Sequence, residues 1–291
     1  MNATAADFQT VCAATAPAGP ATAAWGTDRP IGLYDSGVGG LSVLNEVRRL
    51  LPGENLLYLA DTAHLPYGAK PAQAIVARAC AIGDFFAARQ VKAIGVACNT
   101  ATAAAIEVLR ARHPALAVVG IEPAVKPAAA LTRSGVIGVL ATSGTLASAR
   151  FAELLRREAP HARVLLQACP DWVERVERGD LDSPAARRSV RAAVAPLLAQ
   201  GADTLVLGCT HFPFLAPLLR EMAGPDVAIL ETGAAFARQL QRRLHELDAL
   251  RAPQPAGTLQ WLTTGDAAAL QSCIDRLLGW PAQCAAVPEL S

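Results

Sequence analysis

Two stretches of this chain share one pattern, an apolar run that stops at a cysteine and continues with small polar residues. The first is Ala93–Cys98, followed by Asn-Thr, and the second is Thr204–Cys209, followed by Thr-His. A fully buried parallel strand is typically such an apolar run, and catalytic groups of open α/β sheets lie at the carboxyl ends of the strands. Two such strand ends, each with one thiol, predict a single pocket with sulfur on two sides. This arrangement suits proton transfer on both faces of one carbon.

A second pair of segments repeats at a similar interval. Ile137–Gly144 resembles Ile31–Gly37 at an offset of 106 residues, close to the 111 residues that separate the two cysteines. Two motifs that repeat at nearly one offset predict an internal duplication. Strand-like and helix-like patterns alternate between them, which predicts parallel strands joined by right-handed helical crossovers. The expected fold is α/β, with two similar parallel-sheet lobes related by a pseudo-twofold axis and the active site in the cleft between them.

The predicted lobes divide the chain unevenly. The first lobe is expected to consist of residues 29–123 and 232–291, and the second of residues 124–231. A long helix over residues 234–250 is expected to lead the chain back to the first lobe. Residues 1–28 are rich in Ala, Thr and Pro and contain no Lys or Arg, so they make a poor secretory signal or transit peptide. They are expected to form a disordered extension.

Charge and cysteine spacing exclude several classes of protein. The formal net charge is +1 and the basic residues are scattered, which gives no electrostatic footprint for nucleic acid or an anionic membrane. No apolar stretch reaches the roughly 20 residues that span a bilayer. The seven cysteines include no Cys-x-x-Cys pair, which argues against a zinc ribbon, an iron–sulfur cluster or a thioredoxin-like site. The sequence therefore predicts a cytoplasmic globular enzyme without a metal.

The glycine-rich loop Asp35–Gly40 follows the first predicted strand. It matches neither the dinucleotide fingerprint nor the P-loop. Its backbone N–H groups and the positive end of the following helix nevertheless suit an anion, a carboxylate as well as a phosphate. A plain connecting turn is the alternative interpretation.

The two cysteines stand where helices are predicted to begin. A free thiol has a pKa of about 8.5, and a helix N-terminus lowers it. Each of Cys98 and Cys209 is therefore expected to exchange between thiol and thiolate at neutral pH, as a racemase requires. His211 is a candidate to move the proton of Cys209 or to bind a carboxylate, with a structural role as the alternative; Asp35 has the matching place near Cys98. Neutral polar residues at the other predicted strand ends are expected either to cap helices or to line the cleft: Ser36, Asn99, Thr100, Thr142, Thr145 and Thr210.

Four motifs together resemble the glutamate racemases of the aspartate/glutamate racemase family. They are Asp35-Ser-Gly-Val-Gly-Gly40, Pro66-Tyr67-Gly68, Ala97-Cys98-Asn99-Thr100-Ala101-Thr102 and Leu207-Gly208-Cys209-Thr210-His211-Phe212-Pro213. The resemblance extends from about residue 31 to residue 279. It implies an isomerase that interconverts L- and D-glutamate without a cofactor and supplies D-glutamate for peptidoglycan. It also implies two α/β lobes with the active site between them.

The resemblance assigns roles to individual residues. It implies that Cys98 and Cys209 are the acid/base pair, the first acting on D-glutamate and the second on L-glutamate. Asp35 and His211 match residues that assist them, and Glu177 matches a pocket glutamate in a stretch that is more charged here than is usual in the family. The implied substrate contacts are Asp35, Ser36, Pro66, Tyr67, Gly68, Asn99, Thr100, Thr142, Thr145, Thr210 and His211.

Partners and rival functions remain open on the sequence. Val119–Ala128 resembles the version found in racemases of Gram-negative bacteria, some of which need a peptidoglycan-precursor nucleotide as activator. The expected assembly is a monomer or a homodimer. The rivals are an aspartate racemase or arylmalonate-type decarboxylase, a non-catalytic regulator, and a metal hydrolase built on Cys209 and His211. The paired cysteines argue against the decarboxylase, and His211 favours glutamate over aspartate.

Overall fold

Residues 26–290, described here in a computed structural model, form two parallel β-sheets flanked by helices. The strands are β1 (Ile31–Asp35), β2 (Leu56–Ala60), β3 (Ala93–Val96), β4 (Ala117–Gly120), β5 (Val136–Ala141), β6 (Arg163–Ala168), β7 (Thr204–Leu207), β8 (Ala228–Leu230), β9 (Leu259–Thr263) and β10 (Cys284–Ala286). The first sheet has the order β10-β9-β2-β1-β3-β4, and the second has the order β6-β5-β7-β8. All pairings in both sheets are parallel.

Helices connect these strands. They are α1 (Leu41–Leu50), α2 (Ala72–Ala88), α3 (Asn99–Arg112), α4 (Val125–Leu131), α5 (Ser143–Leu146), α6 (Ala149–Glu158), α7 (Trp172–Arg178), α8 (Pro184–Ala199), α9 (Ala216–Ala223), α10 (Gly233–Glu246) and α11 (Ala267–Leu278). Short 3-10 turns lie at Thr62–His64, Tyr67–Ala69, Phe212–Leu215 and Pro288–Leu290. Between residues 26 and 290, none of the helices is both long and apolar enough to cross a membrane.

The two sheets repeat one topology. The order β2-β1-β3-β4 in the first sheet matches β6-β5-β7-β8 in the second, while β9 and β10 extend the first sheet beyond β2. The chain order reverses between β1 and β3 in the first sheet and between β5 and β7 in the second, and ligands of open α/β sheets bind at such a switch point. The predicted α/β class, with two similar parallel-sheet lobes, is confirmed. The domain boundaries given above stay a prediction.

Burial follows the strand patterns of the sequence. The strands β1, β2, β3 and β7 are buried along their whole length, because helices cover both faces of a parallel sheet. The strand β6 lies at the edge of its sheet and remains partly exposed. The fully buried strands β3 and β7 carry the two cysteine motifs, so the core packs around the ends of these two strands.

The helix predicted over residues 234–250 is shorter in the structure. The helix α10 ends at Glu246, because Asp248 adopts a left-handed backbone with φ of 50°. Ala249 N–H then donates back to the carbonyl oxygen of Leu244 at 2.9 Å, which closes the helix end. The prediction was therefore four residues too long at its carboxyl end.

A buried ion pair connects segments that are far apart in the sequence. Lys92 Nζ lies 2.5 Å from Glu54 Oε2, and both side chains are almost completely buried. The same ammonium donates to the carbonyl oxygens of Thr27 at 2.6 Å and Ala249 at 2.7 Å. These contacts fix the end of the extension that was predicted to be disordered; its residues 1–25 lie outside the described residues.

Candidate active site

The carboxyl ends of the central strands in both sheets carry the predicted site residues. In the first sheet, Asp35 ends β1 with Ser36 directly after it, and Cys98 follows β3. In the second sheet, Thr142 follows β5 and Cys209 follows β7. The duplicated topology therefore brings equivalent strand ends of the two sheets to a common site.

Cys98 is the N-cap residue of α3. Its sulfur accepts a hydrogen bond from Ala101 N–H at 3.5 Å and donates to Ser36 Oγ at 3.7 Å. Burial and the neighbouring Asp35 carboxylate raise the pKa of Cys98 well above its usual value, and the Ala101 N–H only partly offsets them. The expectation of a thiol pKa lowered by the helix start is wrong for Cys98. Desolvation outweighs the helix end here, so the thiol form is favoured.

Asp35 is fully buried beside Cys98. Gly40 N–H donates to its Oδ2 at 2.7 Å, while Oδ1 has no hydrogen-bond partner among residues 26–290. Burial raises the pKa of Asp35, although the nearby His211 lowers it in part. Within the described part of the chain, both polar atoms of the Asn99 side chain are also buried without a hydrogen-bond partner. Buried polar atoms are normally paired, so these three mark where a polar ligand would complete the site.

Cys209, His211 and Glu177 form a hydrogen-bonded relay in the second sheet. Cys209 Sγ lies 3.8 Å from His211 Nδ1, and His211 Nε2 lies 2.7 Å from Glu177 Oε1. Val38 N–H donates to that same carboxylate oxygen at 2.8 Å, and Gly39 N–H points at His211 Nε2 at 3.2 Å. Burial alone would lower the pKa of His211, but Cys209 and Glu177 outweigh it and raise the pKa well above its usual value. The sequence motif placed His211 near Cys209, and Glu177, which the family resemblance had singled out, lies behind His211.

The glycine-rich loop Asp35–Gly40 holds carboxylates of the protein itself. Its Val38 and Gly40 N–H groups donate to Glu177 and Asp35 respectively. A Cβ at Gly37 would overlap Glu177, and one at Gly39 would overlap His211. The predicted anion-binding loop therefore carries two carboxylates from the chain, and its glycines allow the second sheet to approach.

Three buried threonine hydroxyls meet across the cleft. Thr100 Oγ1, in the first turn of α3, lies 3.0 Å from Thr142 Oγ1 and 3.3 Å from Thr145 Oγ1. Thr142 also caps α5 by accepting from Thr145 N–H. A Cβ at Gly68 would lie 2.9 Å from Thr142 Cβ, so the Pro66–Gly68 loop packs directly against this cluster.

Two predicted contacts have a different place from the rest. Pro66 is exposed. Thr210 is buried, and its carbonyl oxygen accepts a hydrogen bond from Ser42 Oγ at 2.8 Å. For Thr210, the contact that the structure shows is therefore made by its backbone.

Sequence reasoning missed Asp61 and its partner Arg78. Asp61 directly follows β2, is fully buried, and accepts hydrogen bonds from Tyr67 Oη and from Arg78. The available signal was a carboxylate at the end of a buried strand, the same signal that marked Asp35. Arg78 lies within α2, where a lone arginine on a helix gives no such signal.

Comparison with known proteins identifies the family. A family model described as Asp/Glu/Hydantoin racemase matches residues 39–240. The chain belongs to this racemase family. A relative from Methylococcus capsulatus named glutamate racemase is 59% identical over 238 residues, which cover 81% of this chain and 87% of the relative.

Solved racemase structures share the fold. A glutamate racemase isoform from Bacillus anthracis superposes with a TM-score of 0.82 at 31% identity, over 90% of this chain and 98% of its own. The Escherichia coli glutamate racemase, solved with L-glutamate and the activator UDP-MurNAc-ala, gives 0.77 at 32% identity, over 89% and 97%. The family resemblance seen in the four motifs is confirmed.

The contact between Glu177 and His211 predicts a measurable shift. In a Glu177→Gln variant the anionic partner is lost, so we expect the pKa of His211 to fall relative to the unmodified protein, as measured by NMR titration of the histidine rings. Because folding raises the pKa of His211, its contact with Glu177 stabilises the folded protein, and the variant should be less stable by about 2 kcal/mol. This difference in stability is present in full below pH ~6.5. It disappears as the pH rises through the folded pKa.

Glu174→Gln is the matched control, since Glu174 lies on the same helix and pairs with the exposed Arg178. It should leave the His211 titration unchanged. An unchanged pKa in Glu177→Gln would contradict the relay.

Proposed function

We propose that this protein interconverts L- and D-glutamate without a cofactor, with Cys98 and Cys209 as the two acid/base residues. The observation that carries the proposal is the pair of buried sulfurs at equivalent strand ends of the two sheets. Each sulfur has its own proton partner: Asp35 stands beside Cys98, and His211 with Glu177 stands beside Cys209. A negative charge on Cys209 also raises the pKa of Cys98, so the two groups are coupled electrostatically.

The two environments suit opposite starting protonation states. The raised pKa of Cys98 favours the thiol, which is the acid. The raised pKa of His211 favours an imidazolium beside the Cys209 sulfur, which would act as the base. With L-glutamate bound, Cys209 would take the α-proton and Cys98 would give its proton to the opposite face of the carbanion. The product state has a thiol at Cys209 and a thiolate at Cys98, which is the starting state for D-glutamate.

The thiolate left at Cys98 would have two donors. Ala101 N–H already points at the sulfur, and the Ser36 hydroxyl can rotate from accepting to donating. These donors and the start of α3 lower the cost of the charge in a buried site. The reverse reaction therefore begins from a stabilised base.

Polar groups without partners suit the charged ends of glutamate. Asp35 Oδ1 would accept from the substrate ammonium, and the Asn99 side chain would bind a carboxylate. The hydroxyls of Thr100, Thr142 and Thr145 would bind a carboxylate by replacing the hydrogen bonds that they make to one another. By its resemblance to the family, the protein would supply D-glutamate for peptidoglycan.

Optical rotation tests this function directly. Purified protein without any added cofactor should abolish the rotation of both L- and D-glutamate and leave aspartate unchanged. Loss of optical rotation from aspartate instead would favour an aspartate racemase. Unchanged rotation of both amino acids, also after addition of a peptidoglycan-precursor nucleotide, would contradict the proposal.

Serine variants test the two bases in the same assay. A serine hydroxyl is a far weaker acid than a thiol, so Cys98→Ser and Cys209→Ser should each lower the rate by about 10²-fold or more. Cys284→Ser is the control, because Cys284 is a free thiol on β10 at the sheet edge. Near-normal turnover in either of the first two variants would contradict the two-base assignment.

A cavity at the junction of the sheets would bind the nucleotide activator. It measures about 660 Å³, and its lining includes Arg110, Arg150 and Arg243. Arginine is well suited to bind phosphate by its planar fork. Arg150 also lies 2.6 Å from Glu122 and 2.8 Å from Glu107 of α3, the helix that Cys98 caps. An anionic ligand that competes for Arg150 would therefore act on the catalytic helix.

Rates with and without UDP-MurNAc-alanine test this regulation. We expect about a fivefold or greater increase at saturating nucleotide, and Arg243→Gln should weaken it without changing the basal rate. Arg238→Gln on the same helix is the control, since Arg238 is exposed and does not line the cavity. Full activity without the nucleotide would contradict the proposed activation.

A further inference from the structure

The ion pair between Arg78 and Asp61 lies beside the proposed site but outside the residues assigned to it. Arg78 Nη2 donates to Asp61 Oδ1 at 2.7 Å, and Arg78 Nε donates to Asp61 Oδ2 at 3.0 Å. Asp61 is fully buried at the end of β2, and Arg78 is mostly buried on α2. Such a two-point contact fixes the orientation of a carboxylate as well as its charge.

Asp61 connects this ion pair to the loop that faces the second sheet. Tyr67 Oη donates to Asp61 Oδ2, the oxygen that also accepts from Arg78 Nε. Tyr67 is buried, and the next residue, Gly68, packs against Thr142. A continuous set of contacts therefore runs from α2 through Asp61 to the threonine cluster in the cleft.

A second contact holds the guanidinium group from the turn that follows the edge strand β10. Arg78 Nη2 also donates to the carbonyl oxygen of Leu290 at 2.7 Å, in the turn Pro288–Leu290. That turn follows β10 and is tied to the sheet by Val287 N–H, which donates to Thr263 at 2.8 Å. Arg78 is thus fixed on both sides and has little freedom to follow a movement of Asp61.

We propose that Arg78 is a positioning residue for the glutamate site: it fixes the Asp61 carboxylate, which fixes the Tyr67 hydroxyl and so holds the Pro66–Gly68 loop against Thr142. The inference rests on the proposed function, because it assigns the loop to substrate binding. It concerns affinity, since Arg78 touches neither cysteine, and no proton of the reaction passes through it.

The protonation of Asp61 is consistent with this role. Burial would raise the pKa of Asp61, but the hydrogen bonds from Arg78 and Tyr67 outweigh it and lower the pKa. Asp61 therefore stays an anionic acceptor, and the Tyr67 hydroxyl has a single defined direction in which to donate.

A double-mutant cycle tests the proposal. Arg78→Lys keeps the positive charge but loses the planar fork, so the variant should fold while holding Asp61 at one point only. Tyr67→Phe removes the hydroxyl through which Asp61 acts. Each single change should raise KM for D-glutamate about tenfold, with kcat changed less than about threefold, as measured by circular dichroism at 37 °C.

The combined variant decides between positioning and general support. If Arg78 acts through Tyr67, Arg78→Lys should add almost nothing to KM once Tyr67→Phe is present. The proposal would be overturned if the increases in KM of the two single variants multiplied in the double variant. It would also be overturned by an unchanged KM in Arg78→Lys, or by a fall in kcat at constant KM.

Arg89→Gln is the matched control. Arg89 contacts the same turn through an exposed pair with Glu289 at 3.1 Å but does not contact Asp61. Its KM and kcat should equal those of the unmodified protein. If the unmodified protein racemises glutamate and Arg78→Lys has an unchanged KM, only this inference is overturned. If the unmodified protein does not racemise glutamate, the proposed function is contradicted as well.

Discussion

The site depends on how closely His211 and Glu177 of the second sheet approach the loop Asp35–Gly40 of the first. That approach requires glycine at positions 37 and 39, because a Cβ at either would overlap the incoming side chains. The loop N–H groups then satisfy carboxylates that would otherwise be buried without partners. The hydrogen bond from Val38 N–H to Glu177 joins the two sheets, and the same Glu177 carboxylate raises the pKa of His211, so loop geometry and acid/base chemistry cannot vary independently.

The two thiols have unlike surroundings although the topology around them is duplicated. Cys98 shares its burial with a carboxylate, which disfavours a second negative charge, whereas Cys209 faces an imidazole supported by Glu177. A racemase in solution interconverts molecules of equal free energy, yet its acid and base must differ at the moment of each transfer. The duplication supplies the symmetrical placement of the sulfurs, and the differing neighbours supply that momentary difference.

Much of the fold could be predicted because the sequences of β3 and β7 are apolar runs and because two motifs repeat at nearly the same interval in the sequence. The edge strand β6 and the end of α10 could not, since neither an exposed edge nor the left-handed backbone of Asp248 leaves a periodic signal. The thiol of Cys98 was predicted to be easily ionised from its place at a helix start. Its burial against Asp35 is a long-range property, and no local pattern reports it. Arg78 was missed for the same reason.

Isotope transfer in D₂O tests most directly the claim that two thiols act on opposite faces of one carbon. Each thiol holds a single proton, which would exchange with solvent between turnovers. With L-glutamate as substrate, the first D-glutamate formed should therefore carry deuterium at Cα, while the L-glutamate recovered at the same time keeps its protium. Deuterium entering the recovered L-glutamate as fast as the product would mean that a single base serves both faces of the carbon, and it would contradict the two-thiol account.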